Sequence, residues 1–253
     1  MNKTEALNNI RKKLSENKPT IGSWIQIPSN SNAEILGDAG YDWIAVDMEH
    51  GSISTSQLPD LFRALELNNT LPLVRLAQGE LKDAKSALDA GAGGIIIPMV
   101  ESPSQLEEII GYSCWPPVGK RGVGYSRANL FGKNFDPDDK VSLNPLIIAQ
   151  IENIEAVKEI EQILKVPGLD AIIIGPYDLS ASMGITGQFS SKKFQDCLNK
   201  ILNSCKKFNI PSGIHIIQPD INELNKRINE KYQFIAYSID AVMLSVISKN
   251  PKK

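Results

Sequence analysis

One pattern recurs along this chain of 253 residues: a short apolar run, a polar loop, an amphipathic stretch and, several times, a glycine ahead of the next apolar run. The apolar runs are Ile21 to Ile27, Trp43 to Val46, Leu71 to Leu76, Ile95 to Pro98, Leu146 to Ile151, Ala171 to Ile174, Gly213 to Ile217 and Phe234 to Tyr237. Most are continuous rather than alternating, as expected of parallel strands covered on both faces. Helix-length stretches lie between them. Thr55 to Asn69 places Leu58, Leu61, Phe62 and Leu65 on one face, Glu80 to Ala90 does the same with Leu81, Ala84, Ala87 and Leu88, and Ile154 to Leu164 with Ile154, Val157, Ile160 and Ile163. Gly40, Gly91 and Gly168 stand where a left-handed residue closes a helix before the next strand.

Strands alternating with helices eight times predict a single-domain α/β fold, a closed (β/α)8 TIM barrel spanning residues 1–253. A barrel of this kind needs about 250 residues, so the length leaves no room for a second domain. A doubly wound open sheet is the alternative. It requires a glycine-rich turn after the first strand, and the turn here is Pro28-Ser29-Asn30-Ser31-Asn32. Only Gly111 to Asn144 breaks the rhythm, a long stretch without a clear strand; such loops serve function or cover a subunit contact.

Composition excludes several classes of partner. With 42% hydrophobic and 22% charged residues and a net charge of −2, the chain lacks the basic stripe that nucleic acid or an anionic membrane selects. No apolar run reaches the ~20 residues of a membrane span, and Met1 to Thr20 has no signal-peptide core. Cys114, Cys197 and Cys205 are odd in number and lack metal-ligand spacing, which predicts reduced thiols and a cytoplasmic protein.

In such a barrel the chemistry sits at the carboxyl ends of the strands. Asp47-Met48-Glu49-His50 follows the second apolar run directly and holds one of the chain's two histidines. A carboxylate one or three residues from an imidazole can fix its tautomer; a helix cap beside a surface histidine is the plainer reading. Arg75 lies on the third run, Glu152 follows the fifth and Asp178 the sixth. Buried charges at strand ends need partners, a metal or a substrate, and one arginine does not neutralise so many acids. Glu152 and Asp178 lie about one β-α step apart, so they project from adjacent strands into one mouth. Converging carboxylates suit a hard divalent cation that keeps several waters, although Glu152 also suits a helix start and Asp178 a cap. No lysine falls on a proposed strand, where imine chemistry would place a desolvated amine; Lys120, Lys133 and Lys140 in the long loop stay open.

These residues carry a resemblance. Gly40-Tyr41-Asp42-Trp43-Ile44-Ala45-Val46-Asp47-Met48-Glu49-His50-Gly51 resembles the second-strand signature of the HpcH/HpaI aldolases, metal-dependent class II pyruvate aldolases of the phosphoenolpyruvate/pyruvate-type barrels. Pro72-Leu73-Val74-Arg75, Ile97-Pro98-Met99-Val100, Trp115 to Gly124, Ala149-Gln150-Ile151-Glu152 and Val166 to Ser180 continue it in order, over roughly residues 20 to 245. The resemblance implies that Glu152 and Asp178 hold Mg2+, Mn2+ or Co2+ and that Arg75 binds the keto oxygen of pyruvate. It further implies that His50 is the acid/base, that Asp47 and Asp89 orient it, and that Gln150 contacts substrate. Asp89 by itself reads equally as a helix-end residue. Tyr177 replaces the family's small residue before the metal aspartate, where it narrows the pocket or adds a hydrogen bond. Arg127 meets an acidic substrate tail or a neighbouring subunit. His215 stands where the family pattern is apolar, and a histidine satisfied by a backbone carbonyl is the favoured reading.

The expected activity is therefore reversible cleavage of a 4-hydroxy-2-oxo acid into pyruvate and an aldehyde through a metal-stabilised enolate. A citrate-synthase-like, bond-forming member of the superfamily is the alternative, as is a non-catalytic 2-oxo acid binding protein. Ala241 to Ile247 is apolar almost all round, more than a monomeric barrel's outer ring can bury. The resemblance implies exchange of this helix in a homo-oligomer, a trimer of dimers.

Overall fold

The computed structural model describes residues 1–133 and 144–250. Eight parallel strands close in sequence order into a barrel. They are β1 Thr20–Ile25, β2 Trp43–Asp47, β3 Leu71–Arg75, β4 Gly94–Ile97, β5 Leu146–Ile151, β6 Ala171–Ile174, β7 Ser212–Ile216 and β8 Phe234–Ile239. Each overlaps one of the eight apolar runs, and none carries a lysine. Lys140 lies outside the described residues.

Helix α1 (Lys3–Ser15) precedes the barrel, and α2 (Asn30–Asp38), α3 (Leu58–Leu67), α4 (Leu81–Asp89) and α5 (Pro103–Ser113) follow the first four strands. The next steps hold α6 (Ile154–Lys158) and α7 (Ile160–Ile163), α8 (Pro176–Ser182) and α9 (Lys192–Phe208), α10 (Ile221–Asn229), and finally α11 (Asp240–Ile247). Two helices differ from expectation. The stretch from Thr55 opens with a 3-10 turn and becomes α-helical only at Leu58, with a proline in its first turn. The stretch from Ile154 divides at Glu159 (φ −90°, ψ 6°), and Val157, Ile160 and Ile163 stay buried on both sides of the break. The described part of the long loop holds α5's end and a 3-10 segment at Arg127–Gly132, and no strand.

Alternation along each strand divides the core in two. Ile44 and Val46, Val74, Ile95 and Ile97, Ile147 and Ala149 face outward and pack under the helices. Trp43 and Ala45, Leu71 and Leu73, Ile96, Leu146 and Ile148, Ala171 and Ile173 fill the barrel with Trp24 and Phe234. Trp43 and Phe234 stack with ring centroids 4.2 Å apart. Gly22 makes room for them, because a Cβ there would stand 2.1 Å from the Trp43 ring. At the amino-terminal end of the strands, Leu7, Ile10 and Leu14 of α1 plug the barrel. Arg11 ties the plug down with hydrogen bonds to Asp170 and to the carbonyls of Asn144 and Pro145. The opposite mouth stays polar, since the same inward-facing set runs on to Asp47, Arg75 and Gln150.

All three cysteines are free and buried. Among the described residues, no helix is long and apolar enough to cross a membrane.

Candidate active site

The register sets the first pair. Asp47 lies directly beside Arg75 where β2 pairs with β3, and both face inward at the carboxyl ends of their strands. Arg75 Nε donates to Asp47 Oδ1 at 2.8 Å and Nη2 to Oδ2 at 2.6 Å, a two-pronged pairing that fixes the guanidinium plane. Asp47 is fully buried and also accepts from Gln26 Nε2 at 2.8 Å. Burial alone would raise its pKa, but the hydrogen bonds and charge of Arg75, with Gln26 behind them, hold it below the ordinary value. Gln26 follows β1 and is itself held by Asp240 at the head of α11, which accepts from the Gln26 and Ile27 backbone N–H groups.

Glu152 leaves β5 and is almost wholly buried. Its Oε1 accepts from the Met99 backbone N–H at 2.6 Å, and its Oε2 accepts from the Gln150 side chain. Met99 sits in the left-handed region (φ 49°), a strained position for a non-glycine residue that turns its N–H toward the carboxylate. Gly175, just after β6, allows this packing: a Cβ there would come within 2.8 Å of Glu152 Oε2. Burial pushes the Glu152 pKa up to about 7, and the charges of Glu49 and Asp178 add to the rise while the two hydrogen bonds oppose it. Asp178, in the first turn of α8, is exposed at the rim.

Glu49 is the residue between these groups. Its Oε2 lies 2.8 Å from Arg75 Nη1 and 3.9 Å from His50 Nε2. Its pKa is raised by burial first, with Arg75 and His50 opposing and Asp47 and Asp178 reinforcing. The His50 side chain is 60% exposed. Asp47 Oδ1 accepts from the backbone N–H groups of Glu49 (3.1 Å) and His50 (3.3 Å), so it orients the loop that carries the imidazole rather than the ring. The carboxylate facing the ring is that of Glu49.

The mouth thus collects Asp47, Glu49, Glu152 and Asp178 around one guanidinium, a surplus of negative charge. One buried oxygen there, Gln150 Oε1, has no hydrogen-bond partner among the described residues, and Glu49 Oε2 is met by the ion pair with Arg75 without a well-aligned hydrogen bond. Among those residues no group of three or more His, Cys, Asp or Glu forms a ready metal cage. The donor set therefore fits a hard cation held by two carboxylates, with the remaining positions filled by water and substrate oxygens.

Three anticipated residues stand apart. Asp89 ends α4, and the chain turns at Gly91 into the start of β4, so Asp89 lies at the plugged end of the barrel, paired with Arg121 at 2.7 Å. Arg127 is at that end too, bound to Glu66 at 2.6 Å and to the Ala90 carbonyl at 3.3 Å. A helix that feeds the beginning of a strand cannot deliver its last residue to the strand's far end, so a single chain brings neither group to the mouth. Tyr177 adjoins Asp178, half exposed, with its ring edge-on to Phe189 at 4.9 Å.

Sequence reasoning passed over Gln26, the Met99 N–H and Trp24. Gln26 directly follows a strand and was reachable by the rule that found Arg75; a neutral side chain drew no attention. The Met99 N–H has no side-chain signal at all. His215 behaves as a packed histidine, its Nε2 3.4 Å from the Ser238 carbonyl.

Residues 20–246 match the family model for HpcH/HpaI aldolase/citrate lyase. The hydroxypyruvate/pyruvate aldolase of Roseobacter denitrificans is 34% identical over 240 residues, covering 94% of this chain and 93% of the relative. The 4-hydroxy-2-oxo-heptane-1,7-dioate aldolase of Escherichia coli is 31% identical over 241 residues, covering 94% and 91%. Among solved structures, an HpcH/HpaI aldolase/citrate lyase family protein from Burkholderia cenocepacia J2315 superposes with a TM-score of 0.88 at 30% identity, covering 94% of this chain and 95% of its own.

Proposed function

The chain belongs to the HpcH/HpaI aldolase/citrate lyase family, and on that premise we propose that this carbon–carbon lyase reversibly splits a 4-hydroxy-2-oxo acid into pyruvate and an aldehyde. The observation that carries the reading is the unbalanced mouth among the described residues: Asp47, Glu49 and Glu152, the last with its pKa raised to about 7, surround one pinned guanidinium, and Asp178 adds its charge beside Glu49 and Glu152. Such a site attracts a cation and a substrate that shares it. Glu152 and Asp178 are the residues that would hold a divalent ion, Mg2+, Mn2+ or Co2+. When bound, that ion supplies Lewis-acid stabilisation of charge developing on the 2-oxo oxygen.

The chain's own residues account for the rest. Arg75, locked by Asp47, presents fixed positive charge to the keto oxygen without reorganising. The Gln150 side chain, with a free buried oxygen beside Glu152, is suited to contact the substrate. His50, exposed at the rim with Glu49 beside its Nε2, takes the proton from the 4-hydroxyl group. The bond between the third and fourth carbons then breaks, the aldehyde departs, and pyruvate forms as its enolate and is protonated. Tyr177 borders the side where the aldehyde leaves. Asp89 and Arg127 would reach a mouth only in an assembly, on a neighbouring copy.

A homo-oligomer, a trimer of dimers exchanging α11, is part of this proposal. In α11, Leu244, Val246 and Ile247 are exposed, and the long loop exposes Tyr125, Leu130 and Phe131. Light scattering on the purified protein tests it; a monomer at micromolar concentration would exclude it. The free thiols favour a cytoplasmic location.

Release of pyruvate from a panel of 4-hydroxy-2-oxo acids tests the reaction. Chelation with EDTA should abolish turnover and Mn2+ or Mg2+ should restore it, whereas full activity in chelator rejects the cation. His50→Ala should lower kcat by about a hundredfold or more. Its melting temperature should hardly change, because the ring is mostly in solvent.

A further inference from the structure

Arg75 is held from a third direction that the carboxylates do not explain. Its guanidinium carbon lies 4.5 Å from the centroid of the Trp24 ring. Trp24, on β1, in turn stacks with His215 of β7 at 5.1 Å between centroids and 29° between planes. The imidazole is fixed by its edge, with Nε2 3.4 Å from the Ser238 carbonyl, which Ser23 Oγ also approaches at 3.4 Å.

That carbonyl is available because the β1–β8 ladder slips. Gly22 pairs with Ala236, but Trp24 pairs with Ile239, so β8 carries an extra residue at the bulge. Ser238 sits there with φ 58°, in the left-handed region, and its own hydroxyl donates to the Ile217 carbonyl at 2.9 Å. Backbone strain of this kind persists only where surrounding contacts enforce it.

Two features argue that the column serves Arg75 rather than filling space. Trp24 is buried at 1% exposure, yet its Nε1 finds no hydrogen-bond partner among the described residues. A buried unpaired donor is costly, and an aliphatic side chain would fill the barrel without it; the indole instead offers a flat face to a guanidinium. The imidazole stays neutral: burial pushes its pKa down to about 3, with the nearby Arg75 charge adding to the fall. It therefore supports the ring without setting a second cation against Arg75.

We propose that Trp24 and His215 are positioning residues, an aromatic column anchored on the β8 bulge that sets the attitude of the Arg75 guanidinium toward the keto acid. The inference rests on Arg75 holding that group, as argued under Proposed function.

Two readouts test it, one of them free of substrate. Hydrogen exchange of the Arg75 Nε–H, assigned by its loss in Arg75→Lys, reports how firmly the guanidinium is held. Trp24→Leu and His215→Leu should each speed that exchange by about tenfold or more, and lower kcat by about tenfold or more with KM changed less. Trp24→Phe, which keeps a ring face, should recover most of both. Should Trp24→Leu fail to fold, His215→Leu, which exchanges the neutral imidazole for an apolar side chain, carries the test. Parental exchange in His215→Leu, or lost turnover with exchange unchanged, overturns the proposal. Parental turnover in Arg75→Lys instead overturns the role given to Arg75, while the exchange comparison still decides whether the column holds it.

Discussion

Asp47→Asn separates the shape of the Asp47–Arg75 pair from its charge. The substitution keeps the side-chain outline but exchanges one accepting oxygen for a donor, so one of the two guanidinium hydrogen bonds becomes a clash of donors. Removing one partner of a buried ion pair costs about 3–5 kcal/mol. Glu49 keeps part of the counter-charge, 2.8 Å from Nη1. The expected loss therefore falls at the low end, about 3 kcal/mol. In a chain of this size each kcal/mol moves the melting point by about 2–4 °C, so the midpoint should drop by roughly 6–12 °C. Thermal and urea unfolding, followed by circular dichroism on metal-free protein, read this directly. Arg75→Met, alone and combined with Asp47→Asn, completes a cycle. The double variant buries neither charge unpaired and should cost less than the sum of the singles by about 2 kcal/mol. Additivity within about 0.5 kcal/mol would mean that the two side chains contribute independently, and the proposed lock on Arg75 would be wrong.

Glu152 predicts a pH dependence of defined sign. In metal-free protein its pKa is about 7 against an ordinary 4.5, so between those values the folded state binds more protons than the unfolded one. Stability from this group therefore falls as pH rises through that window, by on the order of 3 kcal/mol in all, and the cost is complete above pH 7. Glu152→Gln should abolish that slope in urea midpoints measured between pH 5 and 8; an unaltered slope would refute the assignment. Asp47, with its lowered pKa, acts in the opposite sense and at lower pH: its stabilisation is lost as pH falls through the folded-state value. Gly175→Ala should force Glu152 to shift, since the new Cβ would lie 2.8 Å from Oε2 and 3.1 Å from the Glu152 Cβ. Calorimetric Mn2+ affinity should weaken by about tenfold or more, and parental affinity would show that Glu152 is not a ligand.

Much of this architecture is written in local chemistry. Continuous apolar runs from Ile21 to Tyr237 specify strands buried on both faces, and their alternation with amphipathic helices leaves a closed barrel as the economical solution. The same local reading identifies Asp47, Arg75 and Glu152, because a charged residue within or directly after an apolar run must face somewhere polar. It also locates Asp89 at a helix end, and a helix end that feeds a strand belongs to the plugged face of the barrel; only the motif resemblance drew it toward the mouth.

Which groups meet is decided by register and closure, and these are properties of the assembled sheet. Asp47 faces Arg75 because β2 and β3 pair residue for residue there. Closure carries β8 back against β1, which brings Asp240 to Gln26 from the far end of the chain, and the slip in that ladder leaves the Ser238 carbonyl to His215 on the neighbouring β7. Burial then resets the chemistry: a glutamate with an ordinary acidity in an open chain titrates near neutrality once the barrel takes it from water and sets Glu49 and Asp178 nearby. The amino-acid order determined the strands and the polar groups at their ends. Only the folded barrel determined their distances, and electrostatic chemistry depends on distance and solvation, which no linear pattern contains.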